Sequence, residues 1–361
     1  MKTLIPVLAR ELRAGNAVAL ATVLAGGRGA PRGAGACQIL CRDGQAYGTV
    51  GGGVLEQQAL DVLAALLVQD AEAPRSKVCS YAITQEEARP VPTPAEGNAT
   101  LLYQCLTPED AVWAEFLALR LPEGGAWWLV RRLQNGRVTG VGYADGQRIY
   151  SLPDAPPVAA VCLRKPVWVT DGSRAMGMPK AEAPQWFAEP ISLPGRVYLF
   201  GGGHVAQRVA PLLHQMDFPL TVYEERPAYC TEALFPTAEE RICAPYAEVA
   251  DRLPITQDDA LLVMTSGHGN DVQLLQMALR TPAYYLGMIG SSRKIAQTKA
   301  QLLELGFTEA DFTRVHTPVG LPILAETPME IAVSVAAEMI LCRAQQEGRE
   351  RAARPQPLRQ S

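Results

Sequence analysis

The sequence predicts an α/β protein in which a mixed α+β domain is followed by a Rossmann-like domain with a parallel sheet. Three observations predict this class. Strand patterns joined by turns dominate the first half, with hairpins expected at Asp43-Gly44 and Asn135-Gly136 and one or two strands expected over 158–170. Residues 196–226 read as strand, glycine turn, helix and strand. The α/β alternation continues to a last helix, which is expected to begin with a capping box of Thr327 and Glu330. The expected boundaries are 1–178 for the first domain, 179–195 for a proline-broken linker, 196–343 for the Rossmann-like domain and 344–361 for a frayed tail.

Composition and charge limit the classes of function. The chain has 361 residues, of which 48% are hydrophobic and 19% charged, so each domain can bury an ordinary core. Its net charge of −4 predicts no general affinity for nucleic acid or anionic membrane. No apolar run approaches the roughly 18 residues of a membrane-spanning helix, and the N-terminus lacks a signal-peptide core. We therefore expect a cytoplasmic protein with no nucleic-acid or membrane partner.

The eight cysteines do not have the spacing of a disulfide framework or of a zinc site. Cys37 and Cys41 lie on one predicted strand, where four residues at about 3.3 Å each separate the sulfurs by roughly 13 Å. The two thiols share a face of this strand but are too far apart to chelate one ion. We therefore expect reduced thiols and no metal site.

The Rossmann-like unit begins with the apolar run Val197–Phe200, which is typical of a buried parallel strand. The glycines that follow have the spacing GxGxxA. Gly201 is expected to make the tight turn, Gly203 to let a pyrophosphate approach the backbone, and Ala206 to pack the helix on the strand. The alternative is that these glycines only turn the chain.

A second apolar run, Leu220–Tyr223, ends in two glutamates. In dinucleotide-binding domains a carboxylate at this strand end binds ribose hydroxyls, and Glu224 lies close to that position. The pattern therefore makes NAD(P) or another nucleotide a candidate ligand of this domain.

An earlier glycine turn, Gly51–Gly53, lies between a predicted strand and the first turn of a helix. Unpaired backbone N–H groups at such a place bind anions, above all phosphate. The glycine-rich loop at 26–35 supplies Arg28 and Arg32, and two intervening strands can fold it back beside the turn. The alternative is a purely structural turn in which Glu56 caps its own helix.

Further polar groups follow the predicted strands of the second domain, where the carboxyl ends of parallel strands bind ligands. The alternative for each group is a loop residue or a solvated first helical turn, and His316 is equally well explained as a turn residue. The positions are His204, His268, Asp271, Ser291, Ser292, Arg293 and Lys294.

Several of these segments, in this order, resemble the xanthine dehydrogenase accessory protein family of the XdhC/CoxI type. The matching segments are APRGAGA, GTVGGGVLE, FAEPISLPGRVYLFGGGHVAQ, TVYEERP, PAYYLGMIGSSRK, HTPVGLPI and TPMEIAVSVAAEMI. The resemblance implies an XdhC/CoxI-type N-terminal domain and a C-terminal Rossmann domain. It also implies a chaperone that binds the molybdenum cofactor, supports its sulfuration with a cysteine desulfurase and helps to insert it into a molybdenum hydroxylase. A homodimer is expected on the same ground.

The motifs also assign candidate cofactor-binding residues. Those on the family motifs are Arg32, Gly51, Gly52, Gly53, Glu56, Gly201, Gly203, His204, Glu225 and Arg226, to which the strand-end pattern adds His268, Ser291 and Arg293. Where many members of the family have a Cys-Gly-Gly segment, this chain has residues 95–98, Ala-Glu-Gly-Asn, which argues against a sulfur relay through that segment. We assign no catalytic residue.

Two other classes of function fit the Rossmann pattern. An NAD(P)-dependent oxidoreductase would use the GxGxxA unit, with His268 as the best acid–base candidate. A nucleotide-sensing regulator would use the same domain without chemistry. Nucleotide titration and a turnover assay test the oxidoreductase, and a ligand-dependent change in partner binding without cofactor transfer would favour the regulator.

Overall fold

The computed structural model contains two compact units, Met1–Leu193 and Pro194–Ser361. The described residues are 1–27, 30–69, 73–84, 86–92, 98–121, 125–175, 178–179, 184–192 and 195–346.

The first unit contains a six-stranded antiparallel sheet with the strand order β3-β2-β1-β6-β4-β5. The predicted hairpin through Asp43-Gly44 is confirmed, because β2 and β3 pair across it. Cys37 and Cys41 are both buried in the same cluster on β2, as the alternation predicted. The strands are β1 (Val18–Gly26), β2 (Cys37–Cys41), β3 (Ala46–Gly48), β4 (Ser76–Ile83), β5 (Ala88–Val91) and β6 (Ala99–Leu106).

A second antiparallel sheet of the same unit has the order β11-β10-β12-β7-β8-β9. The Asn135-Gly136 hairpin is confirmed, since both residues have positive φ and join β7 to β8. The strands are β7 (Trp127–Gln134), β8 (Arg137–Ala144), β9 (Ile149–Tyr150), β10 (Val167–Thr170), β11 (Ser173–Ala175) and β12 (Gln185–Ser192).

Two predictions for this unit are wrong in part. The expected linker 179–195 contains β12, which lies between β10 and β7 and is largely buried. Pro190 is typical of a break in the chain, which is why the sequence predicts a linker here. In the structure it lies beside a register shift, where a strand tolerates a missing N–H. The expected strand pattern at 158–170 includes a helical turn, Val158–Val161, before β10 begins.

The helices of the first unit pack against its sheets. Leu8 and Leu12 of the first helix share a core with Leu117 of the third helix and with one face of the first sheet. Leu55 and Leu63 of the second helix pack on the other face of that sheet. The helices are α1 (Ile5–Arg13), α2 (Gly53–Leu67), α3 (Ala111–Arg120) and α4 (Val158–Val161).

One buried ion pair connects β7 and β12. Arg131 and Glu189 are each about 1% exposed, and Nη1 lies 2.6 Å from Oε1. The Cys37 thiol of β2 donates to the same carboxylate at 3.8 Å, which links the two sheets. Burial, assisted by the Glu189 charge, raises the pKa of Cys37 to about 12, so this thiol stays protonated.

The second unit confirms the predicted Rossmann-like domain. Its six strands are all parallel, in the order β15-β14-β13-β16-β17-β18, which is the 3-2-1-4-5-6 order of the dinucleotide-binding fold. The short last strand was not predicted. The strands are β13 (Val197–Phe200), β14 (Leu220–Glu224), β15 (Glu240–Cys243), β16 (Ala260–Val263), β17 (Tyr285–Met288) and β18 (Val315–His316).

Helices cover both faces of this sheet. Leu199 packs with one cluster that includes residues of α5 and α10, while the adjacent Phe200 packs with another that includes residues of α7 and α8. The predicted capping box that begins α10 is confirmed, since Thr327 and Glu330 exchange hydrogen bonds. The helices are α5 (His204–Gln215), α6 (Val249–Arg252), α7 (His268–Ala278), α8 (Ser292–Glu304), α9 (Glu309–Phe312) and α10 (Pro328–Gln346).

The predicted tail 344–361 is helical at its start, because α10 continues to Gln346. The rest of that predicted segment lies outside the described residues. None of the helices within the described ranges is long and apolar enough to span a membrane.

Candidate functional site

The glycine-rich loop of the first unit returns to the Gly51–Gly53 turn, as the strand pattern predicted. A Cβ placed on Gly51 would lie 2.5 Å from Cβ of Pro31 and 3.4 Å from the backbone N of Arg32. Gly51 also has φ 143°, so a side chain is excluded here both by contact and by conformation. The Arg32 side chain is exposed at this turn, whereas Arg28 lies outside the described residues.

Hydrogen bonds inside this turn use part of its donor capacity. Gly51 N–H donates to Oγ1 of Thr49 at 3.0 Å, and Gly52 N–H donates to Oε2 of Glu56 at 3.0 Å. The Thr49 hydroxyl donates to the same Glu56 oxygen. Glu56 therefore caps the start of its own helix, as the alternative interpretation predicted. Of the three glycines, Gly53 begins α2, and a Cβ there would meet open space.

The second glycine turn lies between β13 and α5. Gly201 has φ 109°, and a Cβ there would lie 2.5 Å from the carbonyl oxygen of Met264, so the predicted tight turn is confirmed. The carbonyl of Tyr229 lies so close to Gly202 that a Cβ would overlap it. Gly203 differs, because it has φ −70° and open space around its Cα. The exposed His204 begins α5, and buried Ala206 packs on the sheet as predicted.

A buried carboxylate organises this turn. Glu224, at the end of β14, is fully buried and accepts the Gly202 N–H on Oε2 at 2.7 Å. Arg226 donates to it from the backbone N at 3.0 Å, from Nε at 2.8 Å and from Nη2 at 2.9 Å. Burial opposes ionisation, but the bonds from Arg226 and Gly202 outweigh it and hold the pKa of Glu224 below its usual value. Glu224 therefore has little capacity left for a ribose diol.

Arg226 and Glu225 lie on the solvent side of this carboxylate. The Arg226 side chain is 40% exposed, and its guanidinium lies 4.2 Å from the ring centre of Tyr229. The exposed Glu225 accepts from Nδ2 of Asn270 at 2.8 Å. Because Asn270 belongs to α7, which follows β16, this bond connects elements on the two sides of β13.

The remaining predicted residues lie at the starts of α7 and α8. His268 is the first residue of α7. Ser291 is the N-cap of α8, where its hydroxyl accepts the Lys294 N–H at 3.4 Å, so it has a capping role. Arg293 is exposed, and no ion pair joins it to another residue in the described part of the chain.

Sequence patterns indicated Lys294 and Asp271 as strand-end groups but did not select them as ligand contacts. The Lys294 ammonium forms an ion pair with Asp271, whose side chain is fully buried, and donates to the Thr265 carbonyl at 3.2 Å. The Thr265 hydroxyl donates to Oδ1 of Asp271 at 2.6 Å. This cluster joins the end of β16 to α7 and α8, at the sheet edge where Rossmann domains bind ligands.

A second polar cluster joins β17, β18 and α10. The carboxylate of Glu338 accepts from the Tyr285 hydroxyl at 2.5 Å and from the Gly320 N–H at 2.8 Å, and lies 3.2 Å from Nδ1 of His316. Burial favours the neutral form of Glu338, but the bonds from His316 and Tyr285 outweigh this effect and hold the pKa of Glu338 below its usual value. The sequence left the role of His316 open between a strand-end group and a turn residue, because nothing local pairs it with a glutamate in a distant helix.

The first unit also has an open cleft of about 410 Å³ that no predicted site residue lines. Its walls include Trp113, Gln104 and Val141. Thus neither glycine turn contributes to this cleft.

Two family models match the chain. The model described as "XdhC Rossmann domain" matches residues 197–339, and the model described as "XdhC and CoxI family" matches residues 11–81. The chain belongs to the XdhC and CoxI family. Each matched range contains one of the two glycine turns, so both candidate sites of this XdhC/CoxI-family protein lie within the family's own sequence.

Three curated relatives match segments of the chain. It is 35% identical over 157 residues to a probable xanthine dehydrogenase subunit of Bacillus subtilis, covering 44% of this chain and 46% of that protein. It is 31% identical over 93 residues to "Molybdenum cofactor insertion chaperone PaoD" of Escherichia coli, covering 26% and 29%. It is 31% identical over 171 residues to the uncharacterized Escherichia coli protein YqeB, covering 47% and 31%. The matched segments therefore span less than half the length of each relative.

A solved structure resembles the whole chain. The crystal structure of a xanthine dehydrogenase from Bacillus halodurans matches with a TM-score of 0.73 and covers 98% of each chain. The two sequences are 23% identical, so this likeness shows that the XdhC/CoxI-family protein shares the fold.

Proposed function

We propose that this protein is a molybdenum-cofactor maturation factor. In this proposal it binds the cofactor, supports its sulfuration and helps to insert it into a molybdenum hydroxylase of the xanthine dehydrogenase type. The observation that carries the proposal is the similarity to a relative named as an insertion chaperone for this cofactor. The two family matches and the relative named as a probable part of xanthine dehydrogenase support it.

The cargo in this proposal carries a phosphate or pyrophosphate, and the second glycine turn suits such a group. Open space at Gly203 leaves the backbone accessible at the start of α5, a helix of 12 residues. The part-exposed guanidinium of Arg226 lies after the neighbouring strand. We propose that Gly203, His204 and Arg226 contact the cargo, while Gly201 shapes the turn.

In the first unit the same reasoning favours a narrower contact set. The Gly51 and Gly52 N–H groups already have partners, so these glycines shape the turn around Glu56. Open space at Gly53 and the exposed Arg32 make these two residues the proposed contacts with the cargo. Arg32 would supply the positive charge that offsets the nearby Glu56 carboxylate.

The proposal includes partners and a location. A cysteine desulfurase would supply sulfur, a molybdenum hydroxylase would receive the cofactor, and the protein would act in the cytoplasm as a homodimer. The protein would bind and protect the cofactor, and we assign no residue to a bond-breaking step.

A strain that lacks this protein provides the test. We expect its molybdenum hydroxylase to accumulate at a normal level but with little sulfurated cofactor and low activity. Complementation with the wild-type gene should restore both, and Gly203→Val should restore them less well than Gly203→Ala, because the larger side chain blocks the start of α5. Full sulfurated cofactor and activity in the deletion strain would contradict the proposal.

A nucleotide ligand is the second candidate, either for an NAD(P)-dependent oxidoreductase or for a sensor. The strand order and the GxGxxA turn favour it. The occupied carboxylate of Glu224 disfavours a ribose diol at that place, unless Arg226 moves away. Titration with NAD(H) and NADP(H), with a turnover assay, tests this candidate, and the absence of both binding and turnover would remove it.

A further inference from the structure

The open cleft of the first unit is lined by both antiparallel sheets and by the start of α3. Its lining residues come from β4 and β6 of one sheet, from β8 of the other, and from the turn that leads into the helix. Its volume of about 410 Å³ lies in the range of small-molecule sites, about 300–1,000 Å³. Neither glycine turn lines it, so the cleft is separate from the proposed contacts with the cargo.

A buried glutamine in the cleft wall lacks a hydrogen-bond partner. Gln104 of β6 is 5% exposed, and its amide oxygen accepts no hydrogen bond from the described residues. Ser76, its register partner on β4, differs because its hydroxyl oxygen accepts the Val138 N–H at 2.9 Å. Buried polar groups are nearly always paired, so the Gln104 oxygen indicates a missing donor. Rotation about the last side-chain bond of Gln104 can direct this oxygen into the cleft, where a bound molecule can donate to it.

The charged groups that line the cleft carry an excess of negative charge. Glu109 and Asp110 line it together with one cation, Arg75. Arg75 is held by Glu109, since Nη1 lies 2.8 Å from Oε2, and it also donates to the Thr107 hydroxyl at 3.1 Å. Asp110 accepts the Thr107 N–H at 2.9 Å and the Trp113 indole N–H at 3.4 Å, but it forms no ion pair with a described residue. The cleft therefore favours a cation and disfavours an anion.

The remaining walls are mainly apolar. Leu106 and Trp113 are buried residues of the first unit's core, and Val141 of β8 is half-buried beside them. Val112 lies at the same cleft with most of its side chain exposed. Apolar walls with a few polar groups that fix orientation are typical of sites for small organic molecules.

We propose that this cleft binds a small organic cation that carries N–H donors on an apolar body, as an amidine or an amine does. One N–H would donate to Gln104, the positive charge would lie near Asp110, and the apolar body would pack against Trp113 and Val141. The anionic phosphate of the proposed cargo would be repelled here. This site therefore goes beyond the proposed function and does not depend on it.

The test compares three probes of one shape and different charge on the full-length protein at pH 7. Benzamidine is a cation with N–H donors, benzamide is neutral with N–H donors, and benzoate is an anion without them. We expect isothermal titration calorimetry to show benzamidine bound at one site per chain and benzamide bound about two- to fivefold more weakly, because the attraction to one carboxylate is lost. Benzoate should not bind measurably.

Two pairs of variants locate the site. Gln104→Leu removes the acceptor and should weaken benzamidine binding by about tenfold. Gln38→Leu is the matched control, because Gln38 is also buried with an amide oxygen that no described residue pairs, but it does not line the cleft. Glu109→Gln should weaken benzamidine by about two- to fivefold and leave benzamide unchanged. Glu115→Gln, farther along α3 and outside the cleft lining, should change neither.

Three results would overturn the proposal. The first is the absence of benzamidine binding, and the second is equal affinity for benzamidine and benzoate. The third is equal weakening by Gln104→Leu and Gln38→Leu, which would mean that the loss comes from a general change in the first sheet. Thermal unfolding of each variant identifies any that fails to fold, and the charge series on the wild-type protein does not depend on the variants.

Discussion

The two glycine turns of this protein pair the same backbone N–H group with glutamates from different places in the fold. In each turn the N–H of the second glycine donates to a glutamate, from Gly52 to Glu56 and from Gly202 to Glu224. Glu56 belongs to the helix that follows its own turn and is partly exposed. Glu224 belongs to a neighbouring strand, is fully buried and is also bound by Arg226.

The difference shows how much of each turn is set by its local sequence. The first turn is a helix cap whose hydrogen-bond partners, Thr49 and Glu56, lie within a few residues, although Pro31 of the glycine-rich loop packs against Gly51. The second turn depends on tertiary structure, because the carbonyl groups of Met264 and Tyr229 lie against its first two glycines. Of its three glycines, only Gly203 faces open space. The second turn should therefore be the more sensitive to substitution.

The largest effect is expected at Gly201. In Gly201→Ala the new Cβ would lie 2.5 Å from the Met264 carbonyl at a φ of 109°, so we expect a loss of at least about 3 kcal/mol in the free energy of unfolding. Gly203→Ala is the matched control, because it has ordinary φ and open space, and should lose about 1 kcal/mol or less. Urea unfolding measures both, and equal losses would refute the distinction within this turn.

The next effect is expected at the buried carboxylate. Glu224→Gln removes charge-assisted bonds to Arg226 and should lower the free energy of unfolding by about 2 kcal/mol near pH 7. The pKa of Glu224 is lower in the folded than in the unfolded protein, so its contribution is complete above the unfolded pKa and is lost as the pH falls through the folded one. The gap between variant and wild type should narrow below about pH 4. A gap that widens in acid would contradict this assignment.

The corresponding change in the first turn should be milder. In Glu56→Gln the amide oxygen can still accept the Gly52 N–H, and the site is partly exposed, so we expect a loss below about 1 kcal/mol. The measurement is urea unfolding at pH 7 beside Glu224→Gln. A loss as large as that of Glu224→Gln would mean that the two turns do not differ in the way proposed.

The smallest effect on stability, with an effect on function, is expected at Arg32. Its side chain is exposed, so Arg32→Gln should change the free energy of unfolding by less than about 0.5 kcal/mol while lowering the retention of the proposed cofactor. Arg42→Gln is the control, because it changes an exposed arginine in the neighbouring hairpin turn. Equal cofactor retention in the two variants would remove Arg32 from the site.

Much of the fold could be predicted from periodicity and turn residues. The Val197–Phe200 strand, its glycine turn and the α5 helix follow from local patterns, as do the hairpins at Asp43-Gly44 and Asn135-Gly136. The strand Gln185–Ser192 escaped prediction because Pro190 reads as a break, whereas its place between two strands and beside a register shift makes the proline acceptable.

The candidate site was less predictable, because its partners are distant in the sequence. Motif spacing indicated that Gly201 turns the chain, but not that Glu224 is occupied by Arg226 rather than open to a ribose. Likewise, the Lys294–Asp271 ion pair depends on the juxtaposition of two helices, which no local pattern encodes. Sequence patterns located the edge of the sheet, whereas burial and hydrogen bonding decided which groups there remain accessible.

The most direct test of the proposed cofactor role uses protein purified without oxygen from cells rich in molybdenum cofactor. After denaturation and oxidation, the released material is assayed for the fluorescent pterin, and molybdenum is measured by mass spectrometry. The maturation-factor proposal predicts pterin and molybdenum in near-stoichiometric amounts relative to the protein. Both amounts should be lower in Gly203→Val. Protein that retains NAD(P) and carries neither pterin nor molybdenum would contradict it.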